Sequence, residues 1–127
     1  MQIKQVIMNL IVNAFQAMPN GGGLQIVTQN VDIDENPLQH LHAKPGQYVK
    51  LTIADIGVGM DKATMQRVFE PFFTTKKLGP NKGTGLGLAS AYGIIKNHNG
   101  FITVQSVEGK GSSFNVFLPK SAERAEY

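Results

Sequence analysis

The stretch Val49-Lys50-Leu51-Thr52-Ile53-Ala54-Asp55-Ile56-Gly57-Val58-Gly59-Met60 decides how the rest of the chain is read. Val49, Leu51 and Ile53 alternate with Lys50, Thr52 and Ala54, which predicts a half-buried strand with its apolar side chains on one face. Asp55 keeps the same parity. A carboxylate on an inward face is costly unless hydrogen-bond donors meet it. Gly57 and Gly59 follow, and a residue without a side chain lets the backbone approach a bound group closely. The segment predicts a buried acceptor at a strand end, beside a gap free of side chains. Taken alone, the same residues also fit an ordinary Asp-containing turn.

Working outward, 127 residues make one domain with room for its own core. Hydrophobic residues at 42% and charged residues at 17% are ordinary for a soluble globular protein. No apolar run approaches the ~20 residues that span a bilayer, and no signal-peptide pattern is present. The absence of cysteine excludes a disulfide framework and thiolate metal ligation, and suits the cytosol. A net charge of +3, with lysines spread out apart from Lys76-Lys77 and Lys82, gives only weak support to a nucleic-acid footprint. The local basic cluster beside glycines suggests phosphate instead.

Upstream, residues 1 to 18 predict a helix, since Ile3, Val6, Ile7, Leu10, Ala14 and Ala17 recur at helical spacing. Gln5, Asn9 and Asn13 form a second stripe at i, i+4 and i+8. Asparagine is a mediocre helix former, and a buried amide needs partners. The stripe is either a solvated polar face or a pair of carbonyl oxygens turned toward a ligand or a hard cation such as Mg2+. Pro19-Asn20-Gly21-Gly22-Gly23 stops the helix.

Residues 24 to 31 predict a strand that Ile33 extends. Asp32-Ile33-Asp34-Glu35-Asn36 matches the start of a calcium loop, but Pro37 stands at the turning glycine and Ala43 at the bidentate glutamate, so that reading fails. Residues 35 to 46 are expected to be a surface insertion. His40 and His42 lack an evident third metal ligand and fit a solvated loop.

Downstream, Asp61 is the expected N-cap of a short helix over residues 62 to 68. Phe69-Glu70-Pro71-Phe72-Phe73-Thr74-Thr75-Lys76 then supplies an aromatic anchor, each phenylalanine worth roughly 1.5 to 3 kcal/mol when buried. Residues 77 to 82 are expected to form a mobile loop ending in Gly83-Thr84-Gly85-Leu86-Gly87. From Leu86 on, Leu88, Ala91, Tyr92 and Ile95 recur at helical spacing to about Asn97, which places the glycines at a helix N-terminus, where bare amides and the dipole favour phosphate. The pattern is neither the P-loop nor the dinucleotide fingerprint, and alone it fits a flexible turn equally well. Residues 100 to 106 and 112 to 118 predict a hairpin around Gly109-Lys110-Gly111, and residues 120 to 127 a fraying polar tail. The expected architecture is a two-layer α/β sandwich, its mixed, mostly antiparallel sheet covered on one face by helices.

Five segments in this order and spacing, Asn9-Leu10-Ile11-Val12-Asn13-Ala14, Asp55-Ile56-Gly57-Val58-Gly59, Phe69-Glu70-Pro71-Phe72-Phe73, Gly83-Thr84-Gly85-Leu86-Gly87 and Gly109-Lys110-Gly111-Ser112-Ser113-Phe114, resemble the five boxes of the catalytic ATP-binding domain of two-component sensor histidine kinases. That domain belongs to a superfamily shared with gyrase and chaperone ATPases. Ala17-Met18-Pro19 and Phe72-Phe73-Thr74-Thr75-Lys76 resemble the nitrogen-regulatory branch most. The resemblance covers residues 2 to about 119, with residues 120 to 127 as a tail.

By this resemblance, Asp55 would accept the adenine exocyclic amine, with Gly57, Gly59 and Ser112 helping to hold the base through an ordered water. Asn13 would coordinate Mg2+, with Asn9 beside it. Lys76 would be a lid cation near the phosphates and Lys82 a second candidate. Gly83, Thr84, Gly85, Leu86 and Gly87 would close the lid over the phosphate tail, with Phe72 among the nucleotide-contacting positions. Ser112 stands where a threonine is often found and keeps the hydroxyl. The strand that usually precedes the asparagine helix is missing, which implies a fragment.

The resemblance implies an enzyme that transfers the γ-phosphoryl group of Mg-ATP to a histidine on a separate dimerisation domain, for relay to a response regulator. The domain would be cytoplasmic and monomeric, without contact to membrane or nucleic acid, in a parent that is a homodimer and is anchored to a membrane or free. ATPases of the superfamily carry a glutamate where Asn9 stands, and an amide cannot take a proton from water. His40, His42 and His98 lack the helical acceptor motif. The alternatives are an ATP hydrolase or clamp of the same fold and a non-catalytic nucleotide-binding module.

Overall fold

The computed structural model describes residues 2–34, 44–71 and 87–120. Its elements are α1 (Gln2–Gln16), β1 (Leu24–Ile33), β2 (Gly46–Asp55), α2 (Lys62–Arg67), α3 (Gly87–Asn97), β3 (Phe101–Val107) and β4 (Gly111–Pro119). The four strands form one sheet in the order β1-β2-β4-β3, and every pairing among the described residues is antiparallel. The expected sandwich is present. The expected first helix stops two residues early, at Gln16, and each hairpin strand is shifted or extended by about one residue.

Alternation sorts the sheet's side chains. Ile53 pairs with Phe114 and Leu51 with Val116, while Val104 and Ile102 oppose the same two β4 residues from the other side. Those residues meet Val6 and Leu10 of α1 and Ala91 and Ile95 of α3, which recur one turn apart, in a single core. Helices therefore cover the face on which Asp55 lies. The cover stops short of the sheet's corners: Val49 and Ile26 have the inward parity yet remain 36% and 50% exposed.

The opposite face carries a second cluster of Ile33, Tyr48, Phe101 and Phe117 that the one-sided strand pattern did not predict. Phe101 and Phe117 stack at 4.4 Å between ring centroids, with Tyr48 edge-on to Phe101 at 5.6 Å. Beyond it, Thr52 Oγ1 donates to Asn115 Oδ1 at 2.8 Å and Asn115 Nδ2 to Thr103 Oγ1 at 3.3 Å, a polar ladder across three strands.

Helix ends follow local chemistry. Asp61 caps α2 by accepting the Thr64 N–H at 2.8 Å, as expected. α3 closes on Asn99, a non-glycine residue at φ 64°, with Gly100 N–H bonded to Ile95 O and Asn99 N–H to Lys96 O, the two bonds of a Schellman closure. A side chain at Gly100 would collide with Phe117 O, so the chain turns tightly from α3 into β3. Phe69 stacks on Tyr92 at 5.2 Å and meets Phe114 edge-on at 6.2 Å, which fastens the segment after α2 to α3 and the sheet.

Candidate functional site

β2 delivers Asp55 to the end of the sheet, between Leu24 of β1 and Ser112 of β4 in the register. Its residue is 6% exposed, and Oδ1 accepts two main-chain amides, from Gly57 at 2.8 Å and from Ser112 at 3.3 Å. These donors answer the cost of the inward carboxylate. Oδ2 takes no hydrogen bond from the described residues. It is the carboxylate's second acceptor, on the helix-covered face beside Ile53.

The glycines beside it are required by the protein's own backbone. A Cβ on Gly57 would lie 2.3 Å from Ala17 O, where the chain leaves α1, and Val58 N–H bonds that same oxygen at 3.0 Å. Gly59 has φ 69°, and its Cβ would lie 2.1 Å from Val107 O. Packing alone requires glycine at both positions, because α1 and the β3-β4 hairpin close on the loop after β2. Gly111, at the start of β4, has φ 120° and would place a Cβ 2.1 Å from Asp55 O.

The two asparagines stand on α1 in the same helical layer. Asn9 Nδ2 donates to Gly87 O at 3.0 Å, tying α1 to the start of α3. Asn13 follows one turn on, half-buried. Phe72, Lys76, Lys82, Gly83, Thr84, Gly85 and Leu86 lie outside the described residues, as do His40 and His42. Of the predicted phosphate segment the structure describes Gly87, which begins α3.

Sequence reasoning missed Ser106. Its Oγ accepts the Met60 N–H at 2.7 Å, donates to Gly111 O at 3.0 Å and lies 2.8 Å from Ser112 Oγ. The available signal was parity, because Ser106 follows Ile102 and Val104 on the inward face and stands opposite Ser112.

A sequence profile described as "Histidine kinase-, DNA gyrase B-, and HSP90-like ATPase" matches residues 1–122. The chain belongs to this ATPase family. Its relatives include sensor kinase CckA of Brucella abortus, 45% identical over 96% of this chain and 13% of that protein. Sporulation kinase E of Bacillus subtilis is 39% identical over 93% of this chain and 14% of its own length. Sensor histidine kinase ZraS of Escherichia coli is 34% identical over 98% and 23%. The chain thus spans between about an eighth and a quarter of these relatives. Among solved structures, full-length ShkA in complex with AMPPNP superposes with a TM-score of 0.72 at 25% identity, over 98% of this chain and 22% of that one. The mycobacterial sensor histidine kinase MprB, at 24% identity and a TM-score of 0.67 over 93% of this chain and 70% of that one, shares the fold.

Within the family this chain is an ATPase domain of the histidine kinase kind. None of the helices described is long and apolar enough to cross a membrane.

Proposed function

We propose that this domain binds Mg-ATP and transfers the γ-phosphoryl group to a histidine on a separate dimerisation domain of the same sensor kinase, from which it passes to a response regulator. The observation that carries this reading is the division of labour on Asp55. Oδ1 is held by the Gly57 and Ser112 amides, while Oδ2 takes no hydrogen bond from the described residues. A fixed carboxylate oxygen suits an exocyclic amine and rejects a carbonyl oxygen, which distinguishes adenine from guanine.

Mg2+ fits the donors available. No group of three or more His, Cys, Asp or Glu side chains among the described residues could form a cage. The Asn13 amide oxygen is the kind of neutral ligand that joins a cation already carrying phosphate and water. Bound there, Mg2+ would neutralise charge on the phosphate oxygens. Asn13 would hold it, and Lys76, with Lys82 as second candidate, would add a cationic side chain. The amides around Gly83, Gly85 and Gly87 would receive the phosphate tail, with Phe72, Thr84 and Leu86 lining the approach.

Asn9 bears on the choice of acceptor. An amide cannot take a proton from water at neutral pH, so water is a poor nucleophile in this site. Phosphoryl transfer needs chiefly positioning and charge neutralisation, and the base would come with the acceptor histidine. This disfavours an ATP hydrolase or clamp. The domain would act in the cytoplasm, as a monomer by itself and within a homodimeric parent.

The test mixes the 127-residue chain with ATP labelled at the γ-phosphate, with and without a sensor-kinase dimerisation domain. Transfer is expected only when the acceptor domain is added or fused. Robust self-labelling of the chain alone would overturn the reading, and ATP binding with no transfer to any dimerisation domain would favour a binding module.

A further inference from the structure

We propose that Ser106 is a positioning residue that sets the proton direction of the Ser112 hydroxyl and so sharpens the choice of an amino-purine over an oxo-purine. This rests on the reading of Asp55 and Ser112 as the base-recognising pair.

The direction of each hydroxyl follows from a count of protons. A serine hydroxyl offers one donor and two lone pairs. Ser106 Oγ has three close polar neighbours: Met60 N at 2.7 Å, Gly111 O at 3.0 Å and Ser112 Oγ at 2.8 Å. Met60 N–H can only donate and the Gly111 carbonyl can only accept. One assignment satisfies all three contacts: the Ser106 proton goes to Gly111 O, and its lone pairs receive the Met60 N–H and the Ser112 O–H. The opposite direction between the serines would leave Gly111 O facing an oxygen with no proton between them.

Ser112 then has its only hydroxyl proton committed inward, and its lone pairs remain to accept. Its main-chain amide is already given to Asp55 Oδ1, and Asp55 Oδ2 is itself an acceptor. The strand pair Asp55 and Ser112 therefore presents acceptors alone to whatever arrives. An amino group, or a water relaying one, is satisfied there; an oxo group meets lone pairs. Without the Ser106 hydroxyl, Ser112 is free to rotate and donate, and the discrimination relaxes. The same Ser106 oxygen anchors Met60, so the loop after Asp55 is held to the β3-β4 hairpin by the contact that sets the proton.

The experiment measures the affinity of the 127-residue chain for the non-hydrolysable imido analogues of ATP and GTP by titration calorimetry, with Mg2+ present. Ser106→Ala and Ser106→Cys are expected to weaken the adenine analogue about fivefold to tenfold. They leave the guanine analogue unchanged or tighter, so the preference narrows by about that factor. Ser106→Thr, which keeps the hydroxyl, restores the preference. Ser112→Ala narrows it too, and adding Ser106→Ala to Ser112→Ala narrows it no further. Should Ser106→Ala fold poorly, the near-isosteric Ser106→Cys decides, because a thiol accepts weakly. An unchanged preference in both variants, an equal loss for both analogues, or independent effects of the two serines would overturn the proposal. Asp55→Asn separates the two levels: if it leaves both affinities alone, the base-site reading itself fails; if it removes adenine binding while the Ser106 variants change nothing, Ser106 alone is misassigned.

Discussion

Asn9 on α1 donates its side-chain N–H to the main-chain oxygen of Gly87, the first residue of α3, across 3.0 Å and 78 positions of sequence. The bond joins the asparagine stripe to the glycine segment, and it needs a donor at residue 9.

Asn9→Glu replaces that donor with a second acceptor. The variant is expected to lose the tie between α1 and α3, lowering stability by about 1 kcal/mol in urea unfolding. It is also expected to gain acceptor-independent ATP hydrolysis, since a carboxylate can take a proton from water. Phosphate release from the unchanged chain matching that of Asn9→Glu would contradict the role given to the amide.

Asp55→Asn should separate fold from recognition. The asparagine oxygen can still accept the Gly57 and Ser112 amides in place of Oδ1, so the melting temperature is expected to move little. The amide nitrogen then replaces Oδ2 and turns an acceptor into a donor. ATP-analogue affinity is expected to fall about tenfold to a hundredfold, with the ratio of guanine to adenine binding shifted toward guanine. Unaltered calorimetric titrations for both nucleotides would count against Asp55 as the base contact.

Gly111→Ala and Gly109→Ala form a matched pair. Both positions have left-handed backbone, at φ 120° and 83°, but a Cβ on Gly111 meets Asp55 O at 2.1 Å, whereas one on Gly109 meets nothing within 4 Å. Gly109→Ala should cost roughly 1 to 2 kcal/mol, the backbone term alone. Gly111→Ala should cost at least about 3 kcal/mol and weaken nucleotide binding through Asp55. Equal losses in denaturant unfolding would mean that the close approach is relaxed at little cost.

Asp61 gives an acid-side prediction. Its carboxylate lies below the ordinary value of 3.8 because it bonds Thr64, through the side chain first and the main-chain amide second. A folded-state value lower than the unfolded one means a contribution fully present above the ordinary value and lost as pH falls through the lowered one. Asp61→Asn keeps an oxygen for the Thr64 N–H, so the variant is expected to show a flatter decline in stability than the parent chain as pH falls below the ordinary value of 3.8. Superimposable pH profiles would remove Asp61 from the acid response.

Much of this fold is legible in residue spacing. The period-two pattern of residues 49 to 55 placed Asp55 with Ile53 on the inner face, and the turn-spaced Val6, Leu10 and Ala14 marked the buried side of α1. Asp61 before a short helix and the Gly109-Lys110-Gly111 turn were equally local, because a cap or a tight turn is settled by the chemistry of four or five residues. Asp55, Asn9 and Asn13 could be named for a like reason, since a polar group that breaks an apolar periodicity shows in one dimension, whereas Ser112 was named only through the family resemblance.

Other features depended on which segments meet. Ile26 and Val49 obey the inward pattern and still face solvent, since helix cover depends on where α1 and α3 cross the sheet. Gly57, Gly59 and Gly111 are bare because Ala17, Val107 and Asp55 bring carbonyl oxygens within 2.3 Å of where a Cβ would stand. Ser106 acquires its meaning only when three strand and loop ends converge on its oxygen. Periodicity along a chain determines which way a side chain points. What it touches is decided by the packing of segments distant in sequence, because hydrogen bonds and steric contacts act over a few ångströms of space.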